Sequence, residues 1–197
     1  MSADPATIAF YRARAPHRVF HSGEAHSHQL DGFLDRLPAG SAVLELGCGG
    51  GRDAARIRAR GFAVDATDAV PALVKRANEA FGIGARVMAF HELGAETAYA
   101  GVWAHASLLH CPRAALPDVL QRIHRALLPE GWFFSSYKLG DGEGRDLLGR
   151  LHNFPSPEWL LAAYAKAGFT IESQHIYGGK ASDGTQRDWI DLTARKA

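Results

Sequence analysis

Val43-Leu44-Glu45-Leu46-Gly47-Cys48-Gly49-Gly50-Gly51 is an apolar run that carries one acid and ends in four glycines among five residues. The run has the length and composition of a buried strand, and the glycines mark a tight turn leaving it. Arg52-Asp53-Ala54-Ala55-Arg56-Ile57-Arg58-Ala59-Arg60 follows and is rich in helix formers. Strand, glycine loop and helix in this order let a ligand lie against bare backbone at the positive end of a helix. A dinucleotide fingerprint requires Gly-x-Gly-x-x-Gly. Gly47 and Gly49 meet its first two positions, but Arg52 stands where the third glycine belongs, which weakens a pyrophosphate reading.

On both sides of this segment strand and helix patterns alternate. Asp4 is placed to cap a first helix with Pro5 in its first turn, and that helix carries Phe10 and Tyr11. Residues 27 to 37 predict a second helix with Leu30, Phe33, Leu34 and Leu37 on one face. Further strands are predicted at 62–67, at 86–90, within 99–107, at 132–137, near 169–177 and near 187–195. Further helices are predicted at 52–60, 70–81, 113–128 and 156–167. The alternation implies an α/β fold, a parallel sheet with helices on both faces and ligands at the carboxyl edge of its strands. No repeat and no long linker divides residues 1–197, which are expected to form one domain.

Asp68 ends the second predicted strand, where a carboxylate accepts the hydroxyls of a ribose. A helix cap at the same residue is the plainer reading, and one side chain can do both.

Net charge is +1, with 22 basic and 21 acidic residues interspersed. The arginines from Arg52 to Arg60 read as a solvated helix face, so no nucleic-acid partner is expected. No run approaches the roughly 18 apolar residues of a membrane span, and Met1-Ser2-Ala3-Asp4-Pro5 does not open a secretory signal. Cys48 and Cys111 are the two cysteines. Cys48 lies in the glycine loop, where a disulfide would block the ligand, so a reducing cytoplasmic location is expected. His21, His26 and His28 lie close together but have no acidic or thiolate partner nearby in sequence, and no metal is assigned.

Glu45, the Gly47-Cys48-Gly49 step and Asp53 together resemble the first motif of class I S-adenosylmethionine-dependent methyltransferases. The resemblance implies a Rossmann-like, doubly wound, mostly parallel sheet of seven strands with an antiparallel last strand. It implies S-adenosylmethionine as cofactor, with Tyr11, Glu45, Gly47, Cys48, Gly49, Asp53, Asp68, Ala69, Phe90, His91 and Ser107 around it. Ala69 would lie beside the adenine, and Phe90 and His91 would flank it; Phe90 as plain core fits equally. Val102-Trp103-Ala104-His105-Ala106-Ser107-Leu108-Leu109-His110-Cys111-Pro112 and Lys138-Leu139-Gly140-Asp141-Gly142-Glu143-Gly144-Arg145-Asp146 look like segments of a bacterial, tellurite-resistance-like subgroup.

Methyl transfer asks a protein mainly for proximity and orientation, and for a base only if the acceptor must lose a proton. His110, after the fourth strand, is the candidate to orient or deprotonate a small-molecule acceptor. Tyr137, Lys138 and Arg145, after the fifth strand, are candidates to bind an anionic one. His152 and Trp159 are candidates for a lid, to which residues 1–40 contribute amino-terminal helices. A nicotinamide-dependent oxidoreductase and a non-catalytic S-adenosylmethionine-binding protein are the competing functions.

Overall fold

The computed structural model describes residues 3–15 and 27–197. His21 and His26 lie outside the described residues, while His28 is exposed. Asp4 caps α1 (Pro5–Arg14) as expected, its carboxylate accepting from the Thr7 amide at 2.8 Å. The predicted second helix is shorter, α2 (Leu30–Leu34), because Leu37 N–H turns back to the Leu34 carbonyl and tightens the chain before the Pro38 turn.

The main elements then follow in order: β1 (Ala42–Leu46), α3 (Arg52–Ala59), β2 (Ala63–Asp68), α4 (Pro71–Phe81), β3 (Arg86–Val87), β4 (Tyr99–Ala104), α5 (Leu116–Ala126), β5 (Leu127–Lys138), β6 (Gly144–Arg145), β7 (Leu151–His152), α6 (Pro157–Lys166), β8 (Phe169–Lys180) and β9 (Gln186–Lys196). Seven of the strands form one sheet in the order β3-β2-β1-β4-β5-β9-β8. β3, β2, β1, β4 and β5 pair in parallel, and β9 runs antiparallel to both neighbours. The chain therefore has a Rossmann-like doubly wound sheet whose last strand in sequence is antiparallel. Strand order reverses between β1 and β4, and the crevice that ligands use in open α/β sheets lies there.

Two differences from the sequence reading matter for the site. The third strand is cut to two residues, after which Phe90–Glu92 makes a short 3₁₀ turn. The glycine-acid segment after β5 contains a hairpin of β6 and β7 that nothing in its sequence pattern announces.

Strand alternation sorts the core into two layers. Leu44, Val102, Phe133 and Tyr137 pack with Leu116, Val119, Leu120 and Ile123 of α5 on one face. Val43, Trp103 and Phe134 pack with Leu30, Phe33, Leu37 and Ile57 on the other. Phe133 and Tyr137 therefore face α5, while Phe134 and, two pleats further, Lys138 face the other side.

Candidate functional site

A cleft of about 580 Å³ opens along the carboxyl ends of β1, β2, β4 and β5. The glycine loop forms one wall. Gly47 has φ +79°, and a Cβ there would come within 2.5 Å of the Ser107 Cβ, so only glycine closes this turn. Gly49 has φ +54°, yet a Cβ on it would meet nothing within 4 Å. Its backbone faces open cleft. The Gly49 amide donates to Asp68 Oδ2 at 2.9 Å and the Val70 amide to Asp68 Oδ1 at 2.8 Å. The Asp68 carboxylate is thus fixed by two amides at the wall of the cleft. The bond to the Val70 amide is the cap-like role expected of this residue.

Glu45 lies at the bottom of this half, 4% exposed, and its Oε2 has no hydrogen-bond partner. Burial, reinforced by the charges of Asp53 and Asp68, pushes its carboxyl well above the usual range. A cation placed beside it would satisfy the orphan oxygen and restore the ionised form. Asp53 also lines the cleft, but its carboxylate is already used. It accepts from the Ser27 amide at 3.1 Å and from Trp103 Nε1 at 3.0 Å, tying the entry to α2 and β4 to the glycine loop. Cys48, Ala69, Phe90 and Ser107 line the same half, and burial pushes the Cys48 thiol up. The Ser107 hydroxyl is buried without a partner.

The other half of the cleft is built from distant segments. Tyr11 Oη donates to His110 Nε2 at 2.9 Å, because His110 Nδ1–H is held by the Leu151 carbonyl at 2.7 Å. Arg150 Nη1 donates to the same Tyr11 oxygen at 2.9 Å. Arg150 also bonds Asp146 through Nε and Nη2, at 2.9 and 2.6 Å, and Ser182 Oγ at 2.7 Å. His152 Nε2 completes the group, 3.1 Å from Asp146 Oδ2. Burial, aided by the neighbouring His152, lowers the His110 pKa to about 3; burial, aided by Lys138, lowers that of His152 to about 4. Both imidazoles are neutral at physiological pH.

Three residues expected at the site do not reach it. Tyr137 is fully buried on the α5 face, its hydroxyl 3.1 Å from that of Tyr164, because the pleat sends it opposite to Lys138. Arg145 is half exposed on β6 and grips Asp4 at 2.8 and 3.1 Å, holding the start of α1 from outside the cleft. His91 is exposed on the 3₁₀ turn, which aims Phe90 into the cleft and the next residue away from it. Of the two lid candidates, His152 lines the cleft, whereas Trp159 packs under the Arg113 guanidinium at 3.9 Å.

Sequence reasoning missed Arg150, Lys180, Ser182 and Trp189, all of which line the acceptor half. Arg150 lies in the turn of the unannounced hairpin. Lys180 and Ser182 lie at the end of β8 and between β8 and β9, and Trp189 lies on β9, in the Trp189-Ile190-Asp191-Leu192 segment that resembles the subgroup's last strand without marking a site.

Residues 43–131 match the family model of a methyltransferase domain. Over this stretch the chain is similar to a methyltransferase domain. The match begins in the β1 segment and ends at the turn inside β5, so it spans the cofactor half and takes in the turn after β4 with His110, but not the acceptor-half segments from α1, the end of β5, the β6–β7 hairpin or β8–β9. No curated protein matches the chain. Among solved structures, the 1,6-didemethyltoxoflavin N1-methyltransferase of Burkholderia thailandensis, crystallised with 1,6-didemethyltoxoflavin and S-adenosylhomocysteine, is 24% identical with a TM-score of 0.75. The comparison covers 100% of this chain and 92% of that one. TehB of Haemophilus influenzae is 15% identical with a TM-score of 0.74, covering 90% and 64%. A [4+2]-cyclase, SpnF, is 19% identical with a TM-score of 0.71, covering 90% and 84%, so the shared fold alone does not fix a reaction.

The methyltransferase domain implies S-adenosylmethionine, and the residues present fit it. The orphan Glu45 oxygen suits its amino group, the open backbone at Gly49 its amino-acid end, and Asp68 its ribose. Arg52 opens α3 in place of the third fingerprint glycine, which counts against a dinucleotide.

Proposed function

We propose that the protein transfers a methyl group from S-adenosylmethionine to a small molecule bound beside Tyr11, His110 and Lys138. The observation that carries this reading is the pairing, within one cleft, of a cofactor half with an acceptor half closed by α1. When bound, the cofactor supplies a methyl activated by its sulfonium sulfur, which keeps the electron pair of the broken bond. Glu45, Gly49 and Asp68 hold it.

The remaining work is orientation. With its pKa near 3, protonating His110 at neutral pH would cost roughly 5 kcal/mol at 1.36 kcal/mol per unit. His110 therefore serves as a hydrogen-bond acceptor that fixes Tyr11, not as a store for the acceptor's proton. Tyr11 Oη, receiving Arg150 and donating to His110, is held in place at the cleft wall beside the acceptor. We place residues 1–197 in one domain, with α1 as part of a lid. Thr7 Oγ1 accepts from the Leu151 amide at 2.8 Å, and Asp4 is held by Arg145. Small-molecule chemistry also accords with the toxoflavin-precursor methyltransferase and with the near-zero net charge. No helix among the described residues is long and apolar enough to cross a membrane. Two free, buried thiols accord with a reducing cytoplasm.

Calorimetry with S-adenosylhomocysteine and NAD tests the cofactor: the first should bind and the second should not. A metabolite screen that follows S-adenosylhomocysteine release tests transfer. A nucleic acid or protein methylated efficiently while the metabolites are ignored would overturn the reading.

A further inference from the structure

Lys138, 3% exposed at the carboxyl end of β5, lines the acceptor half of the cleft. Its Nζ has no hydrogen-bond partner among the described residues, and it lies 5.4 Å from the Trp189 ring. The carboxylates that attract it are Asp146 and Asp183, and the cations that oppose it are Arg150 and Arg187. Asp146 is already taken by Arg150 and His152, Asp183 accepts from Thr185 through Oδ1, and neither bonds to Lys138. Lys180 lines the same half. An ammonium that faces a cleft with no protein partner of its own is placed to pair with a bound anion. Close by, His152 Nε2–H is spent on Asp146, and His152 Nδ1 is buried with no partner, a lone pair waiting for a donor.

We propose that Lys138 anchors an acceptor that carries a negatively charged oxygen, a carboxylate or an ionised phenol or enol, and that the acceptor enters the cleft as the anion. This rests on the methyl-transfer reading and names its substrate class. An acceptor that arrives ionised needs no proton taken from it, which agrees with a His110 too weakly basic to take one. Burial, with Arg150 beside it, lowers the Lys138 pKa to about 8, so the ammonium is charged at neutral pH and loses its charge above about pH 8.

The test is calorimetry on the protein saturated with S-adenosylhomocysteine, titrated with benzoate, salicylate and inorganic phosphate, and with benzamide as the neutral match to benzoate. We expect at least one of the anions to bind and benzamide to bind at least about tenfold more weakly than benzoate. Lys138→Met should weaken the bound anion at least about tenfold, leave S-adenosylhomocysteine affinity unchanged, and leave the melting temperature unchanged or higher, since an unpaired charge is removed. Lys138→Gln repeats the binding test with a polar side chain. Binding of S-adenosylhomocysteine with no anion bound, equal anion affinity in both variants, or a lowered melting temperature in Lys138→Met would each overturn the anchor and leave methyl transfer standing. Failure of the wild-type protein to bind S-adenosylhomocysteine would remove both.

Discussion

The two halves of the cleft are made differently. The cofactor half comes mainly from one continuous stretch, the end of β1, the glycine loop and the end of β2, with backbone amides fixing Asp68 and with Phe90 and Ser107 added from the turns after β3 and β4. The acceptor half is gathered from α1, the turn after β4, the end of β5, the β6–β7 hairpin and the β8–β9 pair, and side chains fix side chains within it. A site built on backbone is rigid and writes itself into a short motif. One built on side chains from distant segments depends on every segment being docked, and it can change its substrate without changing the sheet.

The contrast predicts where substitutions will hurt. His110→Ala removes the group that orients Tyr11 while the cofactor half stays intact. Turnover should fall on the order of a hundredfold, as for other misplaced reacting groups. S-adenosylhomocysteine affinity should not change, and the wild-type rate should show no limb between pH 6 and 7 from this imidazole. A limb there that vanishes in the variant would make His110 a base after all.

Asp68→Ala should weaken S-adenosylmethionine binding at least about tenfold, or 1.4 kcal/mol, because hydrogen bonds to a charged group are lost. Titration of the folded variant checks this, and an unchanged dissociation constant would put the ribose elsewhere.

Arg145→Ala probes the seam between the lid and the rest. The Arg145 guanidinium holds the Asp4 carboxyl well below the usual carboxylate range. Ionised Asp4 therefore contributes to docking α1 above the unfolded carboxylate range, and the contribution is lost as pH falls through the depressed folded value. The pair is exposed, so steady-state kinetics should show the acceptor KM raised by less than about fivefold, with cofactor affinity unaffected. A large loss of turnover at unchanged acceptor KM would place Arg145 on the substrate. Tyr137→Phe should leave turnover unchanged and cost about 1 kcal/mol in denaturant unfolding, for one buried hydrogen bond whose partner Tyr164 keeps Ser135. Lost activity in a stable variant would return Tyr137 to the site.

Much of the fold was legible because its signals are local. Apolar runs, Asp4 before Pro5 and the glycines after Leu46 each carry their own geometry, and most predicted elements appear within a few residues of their expected ends. The failures are also physical. β3 is short because the chain turns at Ala89, where Glu92 reaches back to the Ala89 amide. β5 begins earlier than predicted because residues 128 to 131 loop out between the Tyr99–Leu127 and Gly101–Trp132 pairs without ending the strand. Tyr137 and Lys138 looked equivalent as neighbours after a strand, but a pleat separates them by a whole face of the sheet.

Residues 43 to 68 alone specified a strand, a glycine loop, a helix and a carboxylate at the next strand end, since backbone dihedrals and strand spacing are short-range properties; the cofactor came from the family resemblance that these residues carry. Which polar side chains meet the acceptor was settled by packing. Tyr11, His110 and Arg150 are separated by up to 139 residues and are hydrogen-bonded only because α1 and the β6–β7 hairpin dock over β4 and β5. No local pattern records such a meeting, because the energy that holds it comes from contacts formed after the chain has folded.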